Sequence, residues 1–191
     1  FSFTVKADSF SIAKAYSDIP MFREMASSAS GVEGLVGLDY TFAGRLDENM
    51  SPVYPSLKGG GVLSLKDVKL KGFKLMNAVS QSTEKPELKD GEVKGIQLKS
   101  KVANNILNIE RVKMRIAGFR PRFEGQASLD GKLNLKGRIG LPPLGIIGIP
   151  FHVSGTSDNP QVKLKRDKSG KVLEETADDK EEETVENTEQ Q

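Results

Sequence analysis

The chain opens on alternation. In FSFTVKAD, Phe1, Phe3 and Val5 fall on one side and Ser2, Thr4 and Lys6 on the other, the period of a half-buried strand. The period then lengthens. Ile12, Ala15, Tyr16 and Ile19 recur at i, i+3, i+4 and i+7, which predicts a helix capped by Asp8 or Ser9. Pro20 kinks or restarts it, because proline has no backbone N–H to donate, and MFREMASSA resumes it. From Gly34 period two returns. GLVGLDYTFAGRL reads as a strand, LDENMSPVYPSL as a loop, and GGGVLSLKDVKLKGF as two short strands around Lys66 and Asp67. FKLMNAVSQS predicts a short helix burying Phe73, Met76 and Val79, and TEKPELKDGEVKG a polar, mobile loop.

Beyond that loop nearly everything is strand: GIQLKSKVANN, ILNIERVKMRIAG, RPRFEGQASLDG, KLNLKGRIGLPP, IPFHVSGTS and PQVKLKR, separated by short turn signals. Asp130-Gly131 is a strong hairpin signal, since glycine supplies the positive φ of a primed turn; Asn104-Asn105 is a weaker one. Sequential hairpins favour an antiparallel meander. The predicted class is α+β and mostly β: a long, twisted antiparallel sheet, groove-like or curled, with one N-terminal helix and one short middle helix. Its faces differ. Val112, Met114 and Ile116 share one side, and Arg111, Lys113 and Arg115 the other; Leu133 and Leu135 oppose Lys132, Asn134 and Lys136. Two helices are too little cover for the apolar face of some eight strands. The remainder must close on itself, pair with another part of a parent protein, or hold an apolar ligand.

Charge divides the chain. From Asp167 onward there are ten acids against three bases, a net −7, which leaves 25 bases against 16 acids ahead of it, a net +9. Residues 1–166 are therefore expected to form one β-rich domain, and 167–191 an acidic tail too poor in apolar surface to order. The tail is a solvated terminus or a shield for a basic or apolar surface. The first residue is Phe1, inside a strand pattern, so the chain is read as a fragment or processed form of a larger protein. No apolar run approaches the roughly 18 residues of a membrane span. Cysteine is absent, which removes disulfides and thiolate metal sites.

Reactive chemistry is sparse. The single histidine, His152, sits in a strand pattern without a marked partner, and zinc needs three or four ligands. Asp47, Glu48 and Asn49 match no calcium-loop spacing. Gly59-Gly60-Gly61 lead into a strand rather than the GxxxxGK[ST] of a phosphate loop, so they read as a turn or close backbone approach. Carboxylate pairs such as Asp8/Asp18 and Asp39/Asp47 are gathered by nothing in the pattern. No enzyme, cofactor or metal is expected. The basic face, including Lys66, Lys69, Lys71, Lys74, Lys94, Lys99, Lys101, Lys113, Arg115, Arg120 and Arg122, reads as a solvated, edge-protecting surface. Lipid head groups or a phosphorylated polymer are its next candidates. Nucleic acid is not expected, because only 6% of residues are aromatic and those fall mostly on the apolar face.

Three stretches, in order, resemble the C-terminal region of the AsmA family of Gram-negative envelope proteins: MASSASGVEGLVGLDYTFAGRLDENMSPVYPSLKGGGVLSLKDVKLKGF, KVANNILNIERVKMRIAGFRPRFEGQASLDGKLNLKGRIGLP and IPFHVSGTSDNPQVKLK. The likeness covers about residues 1–166; the loop around Thr83–Gly91 and the acidic tail depart from it. It implies a periplasmic protein anchored to the inner membrane through a segment outside this chain. It also implies kinship with the AsmA/TamB-like bridge-like lipid transfer proteins, in which curled sheet carries acyl chains between membranes along its apolar inside. The expected partners are phospholipid acyl chains, the N-terminal remainder of the parent protein and other envelope proteins. The expected role is phospholipid transport or outer-membrane assembly; the alternative is a docking or structural cap module without a lipid site. The lipid-facing candidates are Leu63, Leu65, Val68, Leu70, Ile96, Leu98, Leu107, Ile109, Val112, Met114, Ile116, Leu133, Leu135 and Ile139. Some of them must be plain core.

Overall fold

A computed structural model describes residues 1–18, 23 and 30–164. The elements run β1 (Ser2–Ser11), α1 (Ile12–Asp18), β2 (Glu33–Ala43), β3 (Lys58–Lys69), α2 (Lys74–Thr83), β4 (Glu92–Val93), β5 (Ile96–Ala103), β6 (Ile106–Lys113), β7 (Arg120–Ser128), β8 (Leu133–Gly140), β9 (Gly148–Gly155) and β10 (Pro160–Leu164). The strands form one open antiparallel sheet in the order β1-β2-β3-β5-β6-β7-β8-β9-β10, and the short β4 pairs with the end of β3. The α+β, mostly β class is thus the observed one. The expected acidic tail and the MFREMASSA helix lie outside the described residues, apart from Arg23, which donates to the Ser17 carbonyl.

The sheet is curled. If it were flat, β3 and β10, six places apart, would stand about 29 Å from each other. Lys74 lies five residues past the end of β3, a reach of about 17 Å. Yet its Nζ is 2.9 Å from Asp158 Oδ1, at the entrance to β10, and α2 packs along β10. The sheet therefore wraps around α2, and the core lies inside the wrap. Met76 and Val79 of α2 meet Val36, Val68, Ile96, Val112, Leu135, Ile139, Phe151 and Val153 from strands β2 to β9 in one cluster.

The elements depart from the sequence reading in four places. First, β1 continues through Asp8 and Ser9 to Ser11, with a register shift between Ala7 and Phe10, so the first helix has only seven residues. Ser11, rather than Asp8 or Ser9, meets its open end, with Oγ 3.3 Å from the Lys14 amide. Pairing with β2 outweighs the local helical spacing.

Second, the two short strands around Asp67 are one strand, β3. Leu35 faces Lys66 and Glu33 faces Lys69, so three residues of β3 oppose two of β2. Asp67, at φ +48°, absorbs the extra residue as a bulge. Third, β6 carries the same device. Ile109 faces Gly125 and Val112 faces Phe123, again one residue too many. Without these bulges, Leu65 and Val68, or Ile109 and Val112, would lie on opposite faces.

Fourth, the loop predicted as polar and mobile is pinned into the core. Pro86–Leu88 forms a turn of 3-10 helix, and Leu88 is 0% exposed. Ser80 Oγ donates to the Lys85 carbonyl at 2.9 Å and the Leu70 amide to the Gly91 carbonyl at 3.0 Å. Val93 of β4 joins the same cluster. A single leucine and a single valine carry too little period to reveal this in the sequence. The strong hairpin signal is matched by Gly131 at φ +90°, and Asn104 and Asn105 both adopt positive φ between β5 and β6.

Candidate apolar site on the concave face

Directly opposed residues on neighbouring strands share a face, so the registers trace rows across the sheet. One row runs Phe42, Gly59, Val102, Leu107, Ala127, Leu133. The next runs Tyr40, Gly61, Ser100, Ile109, Gly125, Leu135, Val153, Val162. A third holds Leu38, Leu63 and Leu98. These rows form one continuous, nearly uncharged concave surface. Its centre is low, because Gly61, Ser100 and Gly125 present little or no side chain.

An aromatic ladder closes the β1 side. Ring centroids lie 5.5 Å apart for Phe1 and Phe3, 5.6 Å for Phe3 and Phe42, and 4.5 Å for Phe42 and Tyr40. The Tyr40 ring lies across Gly61, where an added Cβ would stand 2.7 Å from the ring carbon Cδ2. Its hydroxyl reaches Ser100 on β5, 3.1 Å from Oγ and 3.3 Å from the backbone carbonyl. Burial raises the phenol above its ordinary pKa, opposed by the hydrogen bond from Ser100. Gly59 and Gly61 are therefore strand positions of close approach, as the failed phosphate-loop match implied.

The fourteen candidate residues divide in two. Val68, Leu70, Ile96, Val112, Ile116, Leu135 and Ile139 are buried in the core around α2. Leu63, Leu65, Leu98, Leu107, Ile109, Met114 and Leu133 are half-buried. Leu107 and Leu133 lie toward the end of the sheet where the hairpin turns are; of these seven half-buried residues all but Leu107 pack against the core cluster. Phe1 and Phe3, on the same face, remain about two-fifths exposed. The sequence reading missed Tyr40, Phe42 and Ser100 as members of this surface. The alternation of GLVGLDYTFAGRL carried the first two; a serine inward on β5 carries no signal of its own.

The outer face is polar and internally paired. Glu124 accepts from Arg111 Nε at 3.1 Å and lies 3.0 Å from Lys136 Nζ. The Arg111 hydrogen bond, with Lys136 adding to it, holds the carboxyl below its usual range against a smaller opposing effect of burial. Gln126 donates to Asn108 at 2.8 Å, and His152 Nε2 is 2.9 Å from Asn134 Oδ1. His152 is thus satisfied by a strand neighbour. Among the described residues no three His, Asp or Glu side chains gather where they could hold a metal ion, and no helix is long and apolar enough to cross a membrane.

Compared with protein-family models, curated proteins and solved structures, the chain matches none.

Proposed function

We propose that this chain is a non-enzymatic part of an AsmA-like envelope protein and that its concave face holds phospholipid acyl chains, in support of lipid transport between the inner and outer membranes or of outer-membrane assembly. One observation carries the reading: a continuous apolar surface spans the sheet, with the Tyr40 ring seated over Gly61 near its centre and a half-covered stretch at Leu63, Leu98, Leu107, Ile109 and Leu133. Such a track lowers the cost of moving a lipid tail, which otherwise must cross water. The periplasmic location and the inner-membrane anchor belong to the same proposal and rest on the sequence resemblance.

A docking or cap module is the second reading, and the packing around α2 favours it. Half of the candidate residues are sealed by Met76, Val79, Leu88 and Val93, as they would be where a groove ends. The outer edge of β1 pairs with no described strand and offers a row of backbone groups to a further strand of another chain segment.

Native mass spectrometry with parallel lipid extraction decides between the readings. Phospholipid retained at fixed stoichiometry, and lost on Leu107→Glu, is the expected result. A bare mass that stays unchanged after incubation with liposomes sinks the acyl-chain reading and leaves the cap.

A further inference from the structure

The connection between β8 and β9, LPPLGII at residues 141–147, exposes three aliphatic side chains within four residues: Leu144 at 52%, Ile146 at 43% and Ile147 at 67%. The loop is held, not loose. The Leu141 amide donates to the Ile147 carbonyl at 2.8 Å, the Gly145 amide to the Leu141 carbonyl at 2.8 Å, and the Arg138 guanidinium to the Ile146 carbonyl. Gly145 lies against the Arg120 side chain, where an added Cβ would be 2.9 Å from its Cδ. Holding aliphatic side chains in water on a braced loop has no folding benefit of its own.

Cations stand directly behind this tip. Lys113, Arg122 and Arg138 are directly opposed across β6, β7 and β8 on the outer face, and Arg120 follows two residues before Arg122. Each of these four cations also has an interaction within the protein, so the basic cluster is held in place beneath the loop. The order along the protrusion is therefore aliphatic tip, then cationic collar. A bilayer with anionic lipid presents the complementary order, head-group charge outside and hydrocarbon within. A protein partner would favour aromatic or methionine anchors in a central patch, and this tip has neither.

We propose that the β8–β9 loop is a membrane-docking tip: Leu144, Ile146 and Ile147 enter the interfacial region of a bilayer while Lys113, Arg120 and Arg122 meet anionic phospholipid head groups. The site is on the opposite face of the sheet from the acyl-chain surface and does not rest on that reading.

The test is co-sedimentation of the full chain with vesicles of phosphatidylcholine alone and of phosphatidylcholine mixed with phosphatidylglycerol. Binding is expected to the mixed vesicles and to weaken as salt is raised. Ile146→Asp with Ile147→Asp should lower that partitioning about tenfold or more. Lys113→Gln with Arg122→Gln should lower it about fivefold for each cation removed, without loss of fold by circular dichroism. Because both pairs lie off the concave face, neither should change lipid retained in native mass spectrometry. Failure to bind mixed vesicles overturns the proposal, and so does binding that is indifferent to the loop pair. Binding lost only with Leu107→Glu assigns vesicle association to the concave face and overturns it as well.

Discussion

The hydroxyl of Tyr40 stands 3.1 Å from that of Ser100, although the strands that carry them, β2 and β5, are not neighbours. β3 runs between them, and the ring crosses it at Gly61 because that residue has no side chain. This contact ties three strands at a point where the sheet has little other core. Gly61→Val should collide with the Asp39 carbonyl as well as displace the ring, and destabilise the fold by about 3 kcal/mol or more, at the upper end of overpacking. Tyr40→Phe keeps the ring and loses the hydrogen bond, about 1 kcal/mol. Urea denaturation checks both. The combined variant should cost less than the sum, because a displaced ring has no bond left to lose. Strict additivity would mean that ring and glycine do not meet.

Glu124 gives the fold an acid-sensitive element. Its carboxyl is held below the usual range chiefly by Arg111, so the folded state favours the ionised form. The stability it contributes is present above the unfolded carboxylate value, near 4.3, and is lost as pH falls through the lowered folded value. The group is partly exposed, which keeps the effect to roughly 0.5–1 kcal/mol. Glu124→Gln should therefore lower the melting temperature at neutral pH and converge on the parent at acid pH. A constant gap between the two across that range would exclude the ionic account.

The bulge at Asp67 sets which way Val68 points. Val68 is 1% exposed, and three residues after Leu65 it still shares that face because Asp67, at φ +48°, is bulged out of the alternation. Deleting Asp67 leaves Leu65, Lys66, Val68 and Lys69 in plain alternation against Glu33–Leu35, so Val68 should stay inward and the cooperative thermal transition should survive. Inserting one residue after Asp67 should instead turn Val68 outward and abolish most of that transition. Asp67→Val keeps the count but places a β-branched residue in the left-handed region, a cost of about 1–2 kcal/mol. Asp67→Gly should match or exceed the parent in stability. The Lys94 contact, 3.9 Å away between two largely exposed side chains, contributes little to any of these outcomes.

Much of this architecture was legible. Alternation located nearly every strand of the second half, and glycine after aspartate marked the hairpin at Asp130-Gly131. What escaped has common physical causes. A bulge breaks the period, so β3 looked like two strands; β6 reads as one unbroken strand from Ile106 through Gly118, and neither the bulge after Ile109 nor the strand's end at Lys113 shows in it. Burial of Leu88 depends on a partner far along the chain, and a local window registers only its charged neighbours. In β1, DSFSIAKAY satisfied a helical period locally, yet pairing with Leu35 and Val36 held Phe10 and Ser11 in the sheet. The candidate surface was half legible for the same reason. Sequence parity placed Leu63, Leu107 and Leu133 on an apolar face, but the wrap around α2, which seals Val112 and Ile139 and leaves Leu107 half-covered, is a property of the whole sheet.

That division yields the sharpest contrast among the candidate residues. Ile139 is 0% exposed, in the core that surrounds α2, whereas Leu107 is half-buried in the outermost row toward the hairpin turns. Ile139→Ala leaves a cavity in close-packed surroundings and should cost about 2–5 kcal/mol. Leu88→Ala should fall in the same range, since that side chain is equally enclosed. Leu107→Ala removes fewer contacts, and water already reaches its surface, so about 1 kcal/mol or less is expected. Lipid retention should order the variants the other way. Leu107→Ala should lose bound phospholipid while melting near the parent temperature, and Ile139→Ala should melt early yet keep lipid under conditions where it is folded. If both properties fall together in Leu107→Ala, the turn end of the concave face is ordinary core. The apolar surface of the sheet would then be fully spent on holding the curl around α2.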